Sequence, residues 1–271
     1  MKVGVLGPKG TYGYFAARGK FKEKDLIYLP TITDVVKAVE MGQVNAGVIP
    51  VESLREGSVG EALDALAWSN VMISGEIVYR IKHFILGKPG VRIENAARVI
   101  SHPQALAQCR DFLRENMPGA EPVEATSTAK AAENLKKNGW DDAVVIGPKE
   151  LAGLYGLKVL REVKSAEPNL TRFLIISRKD CRRTGRDKTS IVFYTASDRP
   201  GILHEILGEF ASRRINLTKI ESRPSKKALG DYLFFIDLEG HRDDSKVRDA
   251  IRGVKSKTAM LKVLGSYPRH F

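Results

Sequence analysis

The chain has 271 residues, 43% of them apolar, which allows two domains of ordinary size. No run approaches the roughly 18–20 consecutive apolar residues of a membrane span, and the opening residues lack the segments of a signal peptide, so a cytoplasmic protein without a membrane partner is expected. The net charge is +12: residues 1–177 hold 23 Lys/Arg against 20 Asp/Glu and residues 178–271 hold 21 against 12, an excess around 178–188 that reads as a solvated basic linker rather than a nucleic-acid surface.

Residues 2–6 read as a strand. Thr33 or Asp34 then caps a helix carrying Val35, Val36 and Val39, and residues 46–51 form a strand. Ser58 and Glu61 have the spacing of a capping box, with Val59, Ala62, Leu63, Leu66 and Ala67 following at helical intervals. After a strand at 98–100, Pro103 suits the first turn of a helix bearing Leu106, Cys109, Phe112 and Leu113. A helix over 126–135, stopped at Gly139, and strands at 143–146 and 170–177 follow. This alternation predicts an α/β architecture with largely parallel sheets. Beyond the linker the rhythm changes. A strand at 189–195, a helix opened by Pro200, strands at 215–222 and 231–238, a helix at 244–254 and a strand at 260–264 give the order βαββαβ. That is the ferredoxin-like pattern, which by itself says little about function. Cys109 and Cys181 have no metal-ligand spacing and read as free thiols.

In open α/β sheets, ligands bind beyond the carboxyl ends of the strands, where helix N-termini offer free N–H groups to anions. Five segments fit that position: Gly7-Pro8-Lys9-Gly10-Thr11; Pro50-Val51-Glu52-Ser53 leading to Gly57-Ser58-Val59; Ser101-His102-Pro103-Gln104 with Gln108 one turn on; Thr126-Ser127-Thr128-Ala129; and Asn169-Leu170-Thr171-Arg172-Phe173. Each also has a plain structural reading. The first is a tight turn without the Gly-Lys-Ser/Thr of a Walker loop, Ser127 or Thr128 caps a helix, His102 is a local cap, and Gln108 is a surface residue. Arg172 stands apart, because a charge amid apolar residues needs an anionic partner if buried. Its planar guanidinium suits a carboxylate.

Taken together, the segments resemble the prephenate dehydratase family. Gly7 to Thr11 matches its opening motif, Ser101 to Cys109 its most distinctive run, Thr126 to Ala132 and Leu154 to Leu157 follow in order, and Asn169 to Phe173 carries the Thr-Arg-Phe signature. The C-terminal part is similar to the family's ACT domain, with Glu221-Ser222-Arg223-Pro224 as the motif associated there with phenylalanine. Two departures stand out: Glu52-Ser53-Leu54 replaces Glu-Asn-Ser, and Gly13 replaces Ser or Thr. The resemblance implies a two-lobed, periplasmic-binding-protein-like catalytic region over 1–177, the linker 178–188, and an ACT domain over 189–271. It implies conversion of prephenate to phenylpyruvate without metal or cofactor, with arogenate as an alternative substrate and a non-enzymatic small-molecule sensor as the rival reading. Thr171, Arg172, Ser101 and Gln108 are the expected catalytic residues. Thr11, Glu52, Ser53, His102, Gln104, Ser127, Thr128 and Phe173 are expected to contact substrate. L-Phe, the expected effector, is assigned to Pro200, Gly201, Ile202, Leu203, Asn216, Glu221, Ser222, Arg223 and Pro224, with Asp198 opening that loop. Self-association as a homodimer or homotetramer through the ACT and catalytic domains is expected.

Overall fold

The computed structural model describes residues 1–165, 167–195, 199–226 and 231–270; Asp198 lies outside them. The first lobe contains β1 (Val3–Leu6), α1 (Tyr12–Arg18), β2 (Leu26–Leu29), α2 (Ile32–Glu40), β3 (Ala46–Ser53), β4 (Gly57–Ser58), α3 (Gly60–Trp68) and β5 (Met72–Arg80). The chain then crosses into a second lobe made of β6 (His83–Gly87), β7 (Arg98–Ser101), α4 (Pro103–Gln108), α5 (Arg110–Asn116), β8 (Glu121–Glu124), α6 (Thr128–Asn138), β9 (Ala143–Gly147), α7 (Leu151–Tyr155) and β10 (Lys158–Val163). After β10 it returns to β11 (Leu170–Ser177), which inserts into the first sheet between β3 and β5. Two crossovers therefore join the lobes, as expected for the two-lobed reading.

The sheets are mixed rather than largely parallel. In the first, β2, β1 and β3 run parallel, while β11 is antiparallel to both β3 and β5. In the second, β9, β7 and β8 are parallel, while β6 and β10 are antiparallel. Apart from the two-residue β4, antiparallel to β3, the antiparallel pairings belong to strands that carry the chain between lobes, a role that local sequence does not encode. Two caps also differ. Thr31 caps α2, its hydroxyl accepting from the Asp34 N–H at 3.0 Å. The Ser58/Glu61 box does not form: Val59 stands at the cap without a side-chain bond, and both polar partners are used elsewhere. The helix expected after Pro103 breaks at Cys109 into α4 and α5.

The C-terminal unit comprises β12 (Asp187–Thr195), α8 (Ile202–Ala211), β13 (Leu217–Pro224), β14 (Tyr232–Glu239), α9 (Ser245–Lys255) and β15 (Thr258–Pro268), with sheet order β13-β14-β12-β15. All three pairings are antiparallel. One sheet face packs on α8 and α9 through Ile191, Phe193, Ile206, Phe210 and Val254. The other face contributes Val192, Leu233, Phe235, Leu264 and Tyr267 to the same core as α2, α3 and β3. The domain is thus docked on the catalytic region through shared apolar burial, the main favourable term in such contacts. No helix among the described residues is long and apolar enough to cross a membrane.

Candidate active site

A cleft of about 820 Å³ lies between the lobes, beyond the carboxyl ends of β1, β2, β3, β7 and β8. The first lobe contributes Thr11, Tyr12, Gly13, Thr31, Pro50, Ser53, Val59 and Glu61, and the second His102, Gln104, Gln108, Ser127 and Thr128. Ile81, His83, Asn169, Thr171 and Phe173 line it at or beside the crossovers. Gly10 is where the lobes meet: with φ +95° it adopts a conformation few side chains tolerate, and a Cβ there would come within 2.7 Å of Leu151.

Strand alternation decides which motif residues face the cleft. Ser53 pairs with Thr171, and Glu52 pairs with Arg172. The first pair points into the cleft and the second to the opposite face. The register then slips, so that Phe173 pairs with Pro50. This bulge leaves Pro50, Ser53, Thr171 and Phe173 all on the cleft side, a use of bulges seen beside active sites. Among the described residues, no hydrogen bond engages the Thr171 hydroxyl. The Ser53 hydroxyl oxygen accepts from the Arg55 and Glu56 N–H groups, each at 3.4 Å.

Arg172 therefore faces away from the cleft, where the sequence expectation set it against substrate. Its Nη1 donates to Asp237 Oδ2 at 2.6 Å, its Nε to Glu76 Oε2 at 2.8 Å and its Nη2 to the Tyr267 hydroxyl at 2.8 Å. Glu52, 3.4 Å from the same Nη1, also lies on this face, outside the cleft. Arg172 thus pins β11 to the C-terminal domain. Burial opposes its charge, yet Asp237, Tyr267 and Glu76 outweigh that and raise its pKa further. Burial alone would raise the Glu76 carboxyl, but Arg172, the His270 N–H and Lys188 reverse this and hold it below the ordinary carboxylate value. Ser101 is a second correction. It is fully buried and donates to the Ile146 carbonyl at 2.8 Å, joining β7 to β9 instead of facing the cleft.

Thr11, His102, Gln104, Gln108, Ser127 and Thr128 do line the cleft. Thr11, His102 and Ser127 cap α1, α4 and α6 by accepting from Tyr14, Gln104 and Lys130 N–H groups. No Lys or Arg lines the cleft among the described residues. The groups it offers to an anion are hydroxyls and the N-terminus of α6, which presents N–H groups and the positive end of the helix dipole, whereas the first N–H groups of α2 are taken by Glu61 and Thr31.

Sequence reasoning missed a hydrogen-bonded chain along the cleft floor. The Tyr12 hydroxyl is 2.9 Å from His83 Nδ1, and His83 Nε2 is 2.9 Å from Gln108 Oε1. Gln108 Oε1 also accepts from Asn169 Nδ2 at 2.8 Å, while its Nε2 donates to Glu56 Oε1 at 3.0 Å. These contacts fix the amide, so a neutral His83 carries its proton on Nε2, and Nδ1 accepts from Tyr12. The Tyr12 hydroxyl is shared with the Lys82 carbonyl at 2.8 Å. The chain links both lobes and both crossovers. Its one clue in the sequence is a lone histidine beginning an apolar strand.

Burial lowers the His83 pKa against a weaker opposing effect from Gln108. A histidine kept neutral by the fold contributes stability that is full above about pH 6.5 and lost as pH falls toward the lowered value. His83→Asn is thus expected to flatten the fall in melting temperature between pH 7 and 5. Equal slopes for the two proteins would contradict this.

The expected effector residues fall at two ends of the C-terminal sheet. Pro200, Gly201, Ile202 and Leu203 open α8 just beyond β12. Arg223 and Pro224 end β13 at the same edge, since Leu233 pairs with both Tyr194 and Arg223. Asn216 precedes β13, about 25 Å away at strand rise. Ser222 and Pro224 are exposed. Glu221 and Arg223 face the other way, bonded to Ser58 and Asp64 of the first lobe. Their side chains are engaged by the catalytic region, where the sequence expectation set them against the effector.

Two α/β lobes closing on a hydroxyl-lined cleft, with a ferredoxin-like domain docked behind it, define a cleft enzyme with an accessory domain. The prephenate dehydratase family profile matches residues 3–181, and that of the ACT domain matches residues 189–255. The chain is similar to the bifunctional chorismate mutase/prephenate dehydratase of Aquifex aeolicus, with 44% identity over 99% of this chain and 74% of that one. It is also similar to the prephenate dehydratase of Methanocaldococcus jannaschii, with 39% identity over 96% of each chain. The solved structure of prephenate dehydratase in complex with L-Phe from Arthrobacter aurescens superposes with a TM-score of 0.92 at 36% identity, covering 99% of this chain and 90% of that one. The chain belongs to the prephenate dehydratase family.

Proposed function

We propose that the dehydratase reaction runs in the interlobe cleft, with Thr171 as the donor to the leaving hydroxyl and with neutral donors holding the substrate. In the reaction the ring carboxylate leaves as carbon dioxide, and its bonding pair enters the ring. The ring C–O bond breaks, hydroxide departs with its electrons and takes a proton from solvent, and the ring becomes aromatic. A threonine hydroxyl is too weak an acid to give up its proton fully, so Thr171 stabilises the developing charge by a hydrogen bond. The observation that carries this reading is the placement of Thr171, Ser53 and Phe173 on one wall, facing the caps of α4 and α6.

The lack of Lys and Arg among the described residues of the lining fits the chemistry. A cation gripping the departing carboxylate would stabilise the ground state more than a transition state in which that charge has moved into the ring. The pyruvyl carboxylate, whose charge does not change, sits at a helix N-terminus. The other faces the apolar wall formed by Leu29, Ile32, Val59 and Phe173.

Prephenate is favoured over arogenate because the ammonium of arogenate would need an acidic partner. Glu61 is the acidic residue in the described lining, and it already accepts from the Thr33 N–H and hydroxyl, each at 3.0 Å. A higher kcat/KM for prephenate in a side-by-side assay is expected, and a higher value for arogenate would reverse the assignment.

L-Phe is the effector in this reading, bound between ACT domains of two chains. The edge strand β13 exposes Thr218, Ile220 and Ser222. Two-fold antiparallel pairing of such edges would set Asn216 of one chain opposite Pro200–Leu203 of the other, closing the gap that separates them within one chain. Calorimetry with L-Phe should show binding, and light scattering should show at least a dimer. A monomer, or no binding at millimolar L-Phe, would contradict this part of the proposal.

A further inference from the structure

We infer that Arg223, in the ACT domain, positions the catalytic cleft through helix α3; this rests on the cleft being the dehydratase site. Val59 and Glu61, at the start of α3, line the cleft. The outer side of α3 is held by the ACT domain at three points. At its start, Lys219 Nζ donates to Ser58 Oγ at 2.6 Å, and Ser58 donates to Glu221. One turn in, Arg223 Nε and Nη2 donate to the two Asp64 oxygens at 3.1 and 3.3 Å. Lys226 Nζ joins them, 2.7 Å from Asp64 Oδ2. At its end, Lys262 Nζ donates to the Leu66 carbonyl at 2.6 Å and to the Ser69 carbonyl, filling acceptor positions that a helix end leaves open.

The contact is tight at the first turn. A Cβ on Gly60 would lie 2.5 Å from Arg223 Nη2, so the guanidinium rests against the helix backbone where a larger residue would displace it. Lys219, Glu221 and Arg223 alternate along one face of β13, and that face meets the first lobe, while Thr218, Ile220 and Ser222 point outward. A movement of the edge strand therefore moves α3. Glu61 carries the movement on, because its carboxylate accepts from Thr33 in the first turn of α2. Two helix starts at the cleft thus follow the edge of the ACT sheet. Arg223 acts here as a positioning residue and not as a ligand of the effector.

The test compares Arg223→Met, Asp64→Asn and the double variant. With prephenate and no L-Phe, each single variant is expected to lower kcat/KM about five- to tenfold, and the double variant no further, as for two residues acting through one contact. Both single variants are expected to bind L-Phe by calorimetry yet lose its inhibition of turnover. Arg223→Lys, which keeps the charge, should recover part of the loss. Asp64→Asn lies in the catalytic lobe and is isosteric, so it carries the comparison if Arg223→Met does not fold. Unchanged kcat/KM in Asp64→Asn would overturn the proposal. So would loss of L-Phe binding in Arg223→Met alongside wild-type inhibition in Asp64→Asn. Absence of phenylpyruvate formation by the unaltered protein would instead overturn the dehydratase reading on which the inference rests.

Discussion

Arg172→Met is expected to lower the unfolding free energy by about 3–5 kcal/mol, the usual cost of removing one partner from a buried ion cluster. The side chains of Arg172, Glu76 and Asp237 are 13%, 2% and 9% exposed, so water cannot replace the lost cation. Lys188, 3.1 Å from Glu76 Oε2, compensates only one of the two carboxylates. In the unaltered protein the lowered Glu76 pKa contributes stability that is present above the ordinary carboxylate value and lost as pH falls through the folded one. Without Arg172 that contribution shrinks, so the deficit of the variant should be larger at about pH 6 than at about pH 3 in denaturant melts. A substrate-gripping arginine would behave differently, with a large rise in KM and near-normal stability. That outcome would return Arg172 to the cleft and contradict the strand register described here.

Thr171→Val is expected to lower turnover of prephenate by about 100- to 1000-fold, the scale of losing one donor aimed at developing negative charge. The substitution keeps the β-branched shape that suits β11. Because no described residue bonds the hydroxyl, it leaves no polar group unpaired. Melting temperature should therefore hold while kcat falls. Thr171→Ser, which keeps the donor, should retain much of the rate. Near-normal turnover by Thr171→Val would remove Thr171 from the chemistry and leave the positioning residues as the source of the rate.

Much of this architecture was legible in the sequence, and the reasons are specific. The segment 170–177 was read with the bounds it has, because four apolar residues follow one another in a strand buried on both faces. The βαββαβ order of the C-terminal unit followed from helical and alternating patterns that rarely coincide by chance. The mixed sheets were not legible. β5 contains Gly75 and the buried Glu76, and neither reads as strand interior until Arg172 and Lys188 arrive from distant segments. The Ser58/Glu61 spacing suggested a cap, but tertiary partners, Glu221 and Thr33, claimed both side chains.

The candidate site was half legible for a related reason. Motifs identify neighbours along the chain, whereas strand alternation sends adjacent residues to opposite faces. Thr171 and Arg172 belong to one signature, yet one faces the cleft and the other the ACT domain. Glu52 and Ser53 divide in the same way. The bulge at Val51, which sets Pro50 opposite Phe173 and brings it to the side of Ser53, leaves no mark in composition. His83 and Tyr12 escaped because each is a single residue whose partner lies some seventy positions away.

The central claim is that the interlobe cleft dehydrates and decarboxylates prephenate. Its most direct test is to incubate the purified 271-residue chain with prephenate and follow the absorbance of phenylpyruvate, with Thr171→Val in parallel. Phenylpyruvate should accumulate with multiple turnovers for the unaltered protein and at least about 100-fold more slowly for the variant. Equal rates for the two would contradict the site. No phenylpyruvate from the unaltered protein, with its fold intact by melting, would contradict the function.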